Sequence, residues 1–222
     1  MNKRGSHVGV IASFGIFILF LLALYFVLEP AITTQKSKQS VLENLETELI
    51  NKFSNELTVA IITADGNCSV IDDSSVDIAQ EVECIVKDIN GNEVDSNDFT
   101  NYIEIKPIDG KLWIYYANSS FDSTTFSSPG GCVSPSFESI RKSDEVFLDK
   151  IYYAVNNLED FKNEINMQAV EGFSFSFLLD NGTTINAGEK NVSSEVFGSE
   201  TRIQYYDEKA ISRFGTLGVK VW

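Results

Sequence analysis

The sequence predicts an α+β chain, with a long N-terminal transmembrane and amphipathic helix packed on an antiparallel β-sheet or β-sandwich domain. Residues 5–28 contain no Asp, Glu, Lys or Arg. Asn-Gly or Asp-Gly dipeptides then recur between short apolar runs, and a later stretch repeats its apolar residues at helical steps. At 222 residues the chain holds one anchor and one domain of about 100 to 200 residues.

The run GSHVGVIASFGIFILFLLALYFVL is 24 residues long. At about 1.5 Å per residue such a helix crosses a hydrocarbon core about 30 Å thick. A cleaved secretory signal has an apolar region of about 7 to 15 residues and small residues at its cut site. This run is longer and ends in Leu28-Glu29-Pro30-Ala31. Asn2-Lys3-Arg4 precedes the span and acid-rich sequence follows it, so the positive-inside rule places the N-terminus in the cytoplasm and the remainder outside.

Lys3-Arg4-Gly5-Ser6 is a basic leader ending in Gly directly before an apolar helix. That arrangement resembles the class III signal peptide of type IV pilins and archaeal pilin-like proteins, over roughly the first 35 residues. The resemblance implies cleavage between Gly5 and Ser6 by a membrane leader peptidase. The freed helix would then pack with other pilin-like subunits in a cell-surface filament or pseudopilus. The family usually has Glu at the fifth mature position, where this chain has Val10. An apolar residue there cannot offset the buried charge of a new α-amine, which suits a minor or tip subunit or an anchored relative. His7 stands at the membrane boundary as an interfacial residue. The expected segments are a leader at 1–5, a transmembrane helix at 6–30, an amphipathic helix at 31–56 and an extracellular domain at 57–222.

Glu29-Pro30 is expected to end or kink the apolar helix, because Pro lacks an amide donor and disfavours helix before it. Beyond it Val41, Leu42, Leu45, Leu49, Ile50, Phe53 and Leu57 recur at three- and four-residue steps, with Lys38, Glu43, Glu46, Glu48 and Lys52 on the other side. The pilin-like layout packs this stripe on the inner face of a sheet. A coiled coil is the alternative partner, but coiled coils sustain about three or four heptads and this stripe covers fewer.

Asp65-Gly66, Asn90-Gly91, Asp109-Gly110 and Asn181-Gly182 suit tight hairpins. The strands expected between them are 57–63, 82–87, 102–106, 112–117, 173–179, 201–206 and 217–222. Phe173, Phe175, Phe177 and Leu179 alternate with Ser174, Ser176 and Leu178, so one face of that strand is core. Leu217, Val219 and Val221 repeat the pattern at the C-terminus. Residues 144–167 read as a helix through Val155, Leu158, Phe161 and Ile165, with Asn156 or Asn157 as a cap. The Ser-, Thr-, Pro- and Gly-rich stretch 118–136 is the longest expected loop.

Lys plus Arg total 17 against 32 Asp plus Glu, a net charge of −15, so phosphate backbones repel the chain and nucleic acid is not an expected partner. His7 is the sole histidine, which removes His-based triads and His-rich metal sites. No Gly-x-Ser-x-Gly elbow, phosphate loop or dinucleotide fingerprint occurs. A non-enzymatic protein without a cofactor is expected.

Cys68, Cys84 and Cys132 lie in the exterior segment, where disulfides persist. Cys68 with Cys84 is the nearest pair, Cys132 can partner either, and Cys84 alternating with Val82 and Val86 also reads as a buried small residue. Their spacing matches no common zinc site. Asp72, Asp73, Asp77, Glu81 and Glu83 form an acidic patch, and 88–98 is rich in Asp and Asn. The second reads as a polar hairpin turn in preference to a calcium loop, since Gly91 precedes Asn92. Sequons at Asn67, Asn118, Asn181 and Asn191 are possible glycosylation sites. Asn118, in the Ser-rich loop, is the best acceptor among them, and Asn181 is better explained as a turn residue. The expected protein is therefore a pilin-like subunit assembling through its N-terminal helix, the alternative being a signal-anchored monomeric binding module.

Overall fold

The computed structural model describes residues 5–72, 75–76, 82–99, 101–164, 172–188 and 196–222, with backbone alone at 5–8, 30–38 and 164. Helix α1 (Gly5–Phe53) runs 49 residues without interruption. The helix does not end at Glu29-Pro30. A Pro costs a helix interior about 3 kcal/mol, and the apolar run before it and amphipathic turns after it continue one helix across it. The amphipathic stripe ends at Phe53, and Leu57 belongs to the following strand.

That strand, β1 (Ser54–Asp65), follows α1 directly, with the Ser54 hydroxyl donating to the Ile50 carbonyl at 2.7 Å. The remaining strands are β2 (Ser69–Asp72), β3 (Glu83–Asp88), β4 (Glu93–Val94), β5 (Ser96–Phe99), β6 (Tyr102–Ile105), β7 (Asp109–Ala117) and β8 (Ser136–Phe147), then β9 (Phe173–Leu178), β10 (Thr184–Ala187), β11 (Phe197–Tyr206) and β12 (Ser212–Val221). Between β8 and β9 lie α2 (Leu148–Asn156) and α3 (Leu158–Glu164).

A nine-stranded sheet has the order β10-β9-β12-β11-β8-β1-β7-β3-β4, and β2-β6-β5 form a second sheet of three strands. Among the described strands every pairing is antiparallel except β8 with β11, which meet at Tyr205 with Val146 and Tyr206 with Phe147. The large sheet is thus two antiparallel blocks joined by a short parallel seam.

Each block buries one face. On the first, Leu42, Leu45, Leu49 and Phe53 of α1 pack with Phe173, Phe175 and Phe177 of β9 and Leu217, Val219 and Val221 of β12. Phe53 sits at ring-centroid distances of 5.9 Å from Phe161 and 5.5 Å from Phe175. On the second, Ala60 and Ile62 of β1 and Leu112, Ile114 and Tyr116 of β7 meet Ile71, Ile103 and Ile105 of the small sheet. Leu57, Ile85, Phe121, Phe147 and Ala210 form a third cluster.

The structure corrects several sequence expectations. Asn90-Gly91 and Asn181-Gly182 do turn hairpins, β3–β4 and β9–β10. Asp65-Gly66 and Asp109-Gly110 do not: β1 and β7 pair with each other, bringing Asp65 opposite Asp109, while β2 and β6 join the small sheet. The helix expected over 144–167 begins at Leu148, because Asp144 to Phe147 finish β8. Asn157 stands at the junction of α2 and α3, its side-chain amide donating to the Tyr153 carbonyl at 3.0 Å. Ile165 and Met167 lie outside the described residues.

Candidate functional site

Helix α1 has two environments. Gly9–Glu29 has a mean hydropathy of 2.7 and none of it is buried. Phe14, Phe17, Phe20 and Phe26 are each more than half exposed, as is Val10 at 66%. Exposing four Phe along one helix opposes the hydrophobic effect unless an apolar environment covers them. This segment is long and apolar enough to span a membrane or to serve as a signal anchor. The C-terminal end of the same helix is fixed: Leu49 and Phe53 are fully buried, and the Ser199 hydroxyl donates to Glu46 Oε2 at 2.8 Å. Gly5 and Ser6 occupy the first turn of α1 as backbone.

Of the three cysteine pairings left open by the sequence, the structure has Cys68–Cys132, with a Cα–Cα distance of 4.5 Å across 64 residues. Cys84 is buried in β3 and takes no part in the bridge. The bridge is backed by the Val70 amide donating to the Val133 carbonyl and the Val133 amide donating to the Cys68 carbonyl, both at 2.9 Å. It therefore pins the long 118–135 connection beside β2.

Asn67, Asn118 and Asn181 are exposed, and Asn191 lies outside the described residues. The Asn181 Oδ1 accepts from the Thr183 amide, closing its own turn. Within the acidic patch Asp73, Asp77 and Glu81 lie outside the described residues, while Glu83 Oε2 accepts from the Phe121 amide at 2.8 Å. In the hairpin at 88–92 the Asp88 carboxylate accepts from the amides of Asn90 and Asn92 and from the Asn92 side chain. Those bonds, led by the Asn92 side chain, hold its pKa below the usual value. Among the described residues no group of three or more His, Cys, Asp or Glu is arranged to hold a metal.

A further site was not read from the sequence. Along β7, Leu112, Ile114 and Tyr116 face the core, so Trp113 and Tyr115 must face the opposite side of the sheet. There they border a cleft of about 450 Å3. Its floor is Leu57, Val59 and Ile61 of β1, its rim is Ser139, Arg141, Ser143 and Glu145 of β8, and Gln204 and Tyr206 enter from β11 across the parallel seam. Lys87 of β3 pairs with Trp113 and lies beside it on the same face, its Nζ 5.4 Å from the Tyr115 ring centroid and donating to the Ala210 carbonyl at 3.0 Å. Burial lowers the Lys87 pKa and raises those of Tyr115 and Tyr206. Like any phenol at neutral pH, both are protonated and can donate a hydrogen bond.

No family model matches the chain, and no curated protein or solved structure is significantly similar to it.

Proposed function

We propose that this chain is a non-enzymatic, membrane-held pilin-like subunit that assembles with other subunits through its N-terminal helix and presents its acidic β-rich domain outside the cell. The observation supporting this reading is the division of α1, whose residues 9–29 are wholly exposed while its last turns are built into the domain core. An uninterrupted helix can carry a packing surface away from the domain while holding the domain at a fixed orientation. The leader sequence Lys3-Arg4-Gly5-Ser6 supplies the second support.

A signal-anchored monomeric module is the competing reading, favoured by Val10 in place of an acid. The two differ at the N-terminus. Protein purified from its native membranes is expected to begin at Ser6 by intact-mass and peptide mass spectrometry. A chain beginning at Met1 or Asn2 refutes leader removal and leaves the anchored module.

A further inference from the structure

We infer that the cleft between Trp113, Tyr206 and Arg141 is a binding site for a neutral oligosaccharide. The argument rests on position and on chemistry. The helix α1 packs against one face of the nine-stranded sheet, through the face of β9 and β12 that carries Phe175 and Val219. The cleft opens on the other face, since Trp113 and Tyr115 alternate with the core-facing Leu112, Ile114 and Tyr116. The cleft therefore opens on the side of the sheet away from this chain's own α1, and in an assembly packed through α1 it is not part of the helix contact. It rests on the membrane-held reading for that direction alone.

The chemistry selects the ligand. Trp113 and Tyr115 are two residues apart on one strand, so their side chains emerge about 7 Å apart on the same face. Both are half-buried, so part of each aromatic side chain stays accessible, and on Tyr115 the Lys87 ammonium stands 5.4 Å from the ring centroid. Aromatic surfaces of that kind take up flat apolar faces while leaving polar edges to be hydrogen-bonded. Ser139, Ser143 and Gln204 supply neutral donors and acceptors around them, and Tyr206 adds a protonated phenol. The charged residues lining it are Arg141 and Glu145, one of each sign, with the Lys87 ammonium beside Tyr115 engaged by the Ala210 carbonyl. This surface carries no excess of acids and so calls for no cation, while the chain's net charge of −15 disfavours a polyanion. A ligand that is uncharged, rich in hydroxyls and faced with C–H groups matches all three properties. The volume of about 450 Å3 falls within the range of about 300 to 1,000 Å3 typical of ligand sites.

The test uses the full-length protein in a detergent without a sugar headgroup, titrated calorimetrically with cellotriose, maltotriose, mannotriose and tri-N-acetylchitotriose, and with a uronic acid trisaccharide as an acidic counterpart. At least one neutral trisaccharide is expected to bind, with affinity reduced tenfold or more in Trp113→Ala and in Arg141→Ala. Trp222→Phe is expected to bind within twofold of the wild type. Because Trp113 and Trp222 are the two tryptophans of the chain, that variant reports Trp113 fluorescence alone, which the bound sugar should shift. Circular dichroism checks the fold of each variant, and the exposed Arg141→Ala carries the test if Trp113→Ala misfolds. Absence of binding by every neutral trisaccharide, preference for the acidic one, or wild-type affinity in both cleft variants overturns the inference. So does self-association that Arg141→Ala abolishes without any sugar binding. None of these results depends on which residue begins the mature chain.

Discussion

Phe53 is the residue at which the helix is committed to the domain, and its truncation to Ala tests that commitment. Its side chain is fully buried, at 0% exposure, between Phe161 and Phe175 and beside Leu49. Burying a Phe contributes about 1.5 to 3 kcal/mol, and each favourable ring pair adds about 0.5 to 1.5 kcal/mol. The cavity left behind brings the expected cost to about 3 to 5 kcal/mol. A domain has only about 5 to 15 kcal/mol to lose, so the change should be large. The assay is urea unfolding of full-length protein in detergent, followed by tryptophan fluorescence, with Phe17→Ala as the comparison. Phe17 is 54% exposed and is not part of the domain core cluster, so its truncation is expected to leave the unfolding free energy within about 0.5 kcal/mol of the wild type. A Phe53→Ala loss below about 1 kcal/mol, or an equal loss for Phe17→Ala, would refute the division of α1 into projecting and docked parts.

Three further outcomes follow from the packing and charges. Cys68→Ala paired with Cys132→Ala removes a bridge spanning 64 residues, for which loop-closure entropy gives a loss of about 4 kcal/mol; a melting temperature insensitive to reductant and to the double substitution counts against the pairing. Gly215→Ala would place a Cβ 2.6 Å from Phe177 ring atoms and 2.9 Å from the Leu178 carbonyl, an overpacking cost of about 1 to 3 kcal/mol that Phe177→Leu should partly relieve in the double variant. Hydrogen bonds from Lys106, Lys111 and Arg213 hold Asp95, Glu138 and Asp180 below their ordinary carboxylate pKa values. Their stabilisation is therefore complete above the unfolded values near about 4 and is lost as pH falls through the lower folded values; a melting temperature as high at pH 3 as at pH 6 would contradict this.

The parts of the fold that were legible in the sequence are those whose periodicity is local. The apolar run of α1 and the Phe173, Phe175, Phe177 alternation of β9 carry their burial in their own spacing. Strand β8 was missed because residues 136–142 are exposed on both faces, leaving no alternation to detect, and its buried end at Val146 and Phe147 merges with the apolar positions of α2. Turn dipeptides specify a local reversal but not which strands meet across it, which is why Asp109-Gly110 lies in β7 beside β1 instead of turning from β6. The cysteine pairing depended on where the 118–135 connection travels, a matter of tertiary placement. The cleft did leave a trace: two large aromatics at alternate positions of LWIYYA, on the side opposite Leu112 and Ile114. Its other wall, from β8 and β11, came from a seam of two residue pairs that no local pattern marks.

The direct passage from Phe53 to Ser54 bears on how the molecule would carry tension. A pull on the apolar helix enters the sheet through β1, which pairs with β7 from Leu57 to Asp65 and with β8 from Ser54 to Thr63. A strand at a sheet margin can be peeled away one hydrogen bond at a time, but β1 has a neighbour on each side and must slide past both before it yields. With no slack linker at the junction, a displacement of the helix reaches those two ladders together, and the domain is loaded through its middle strands.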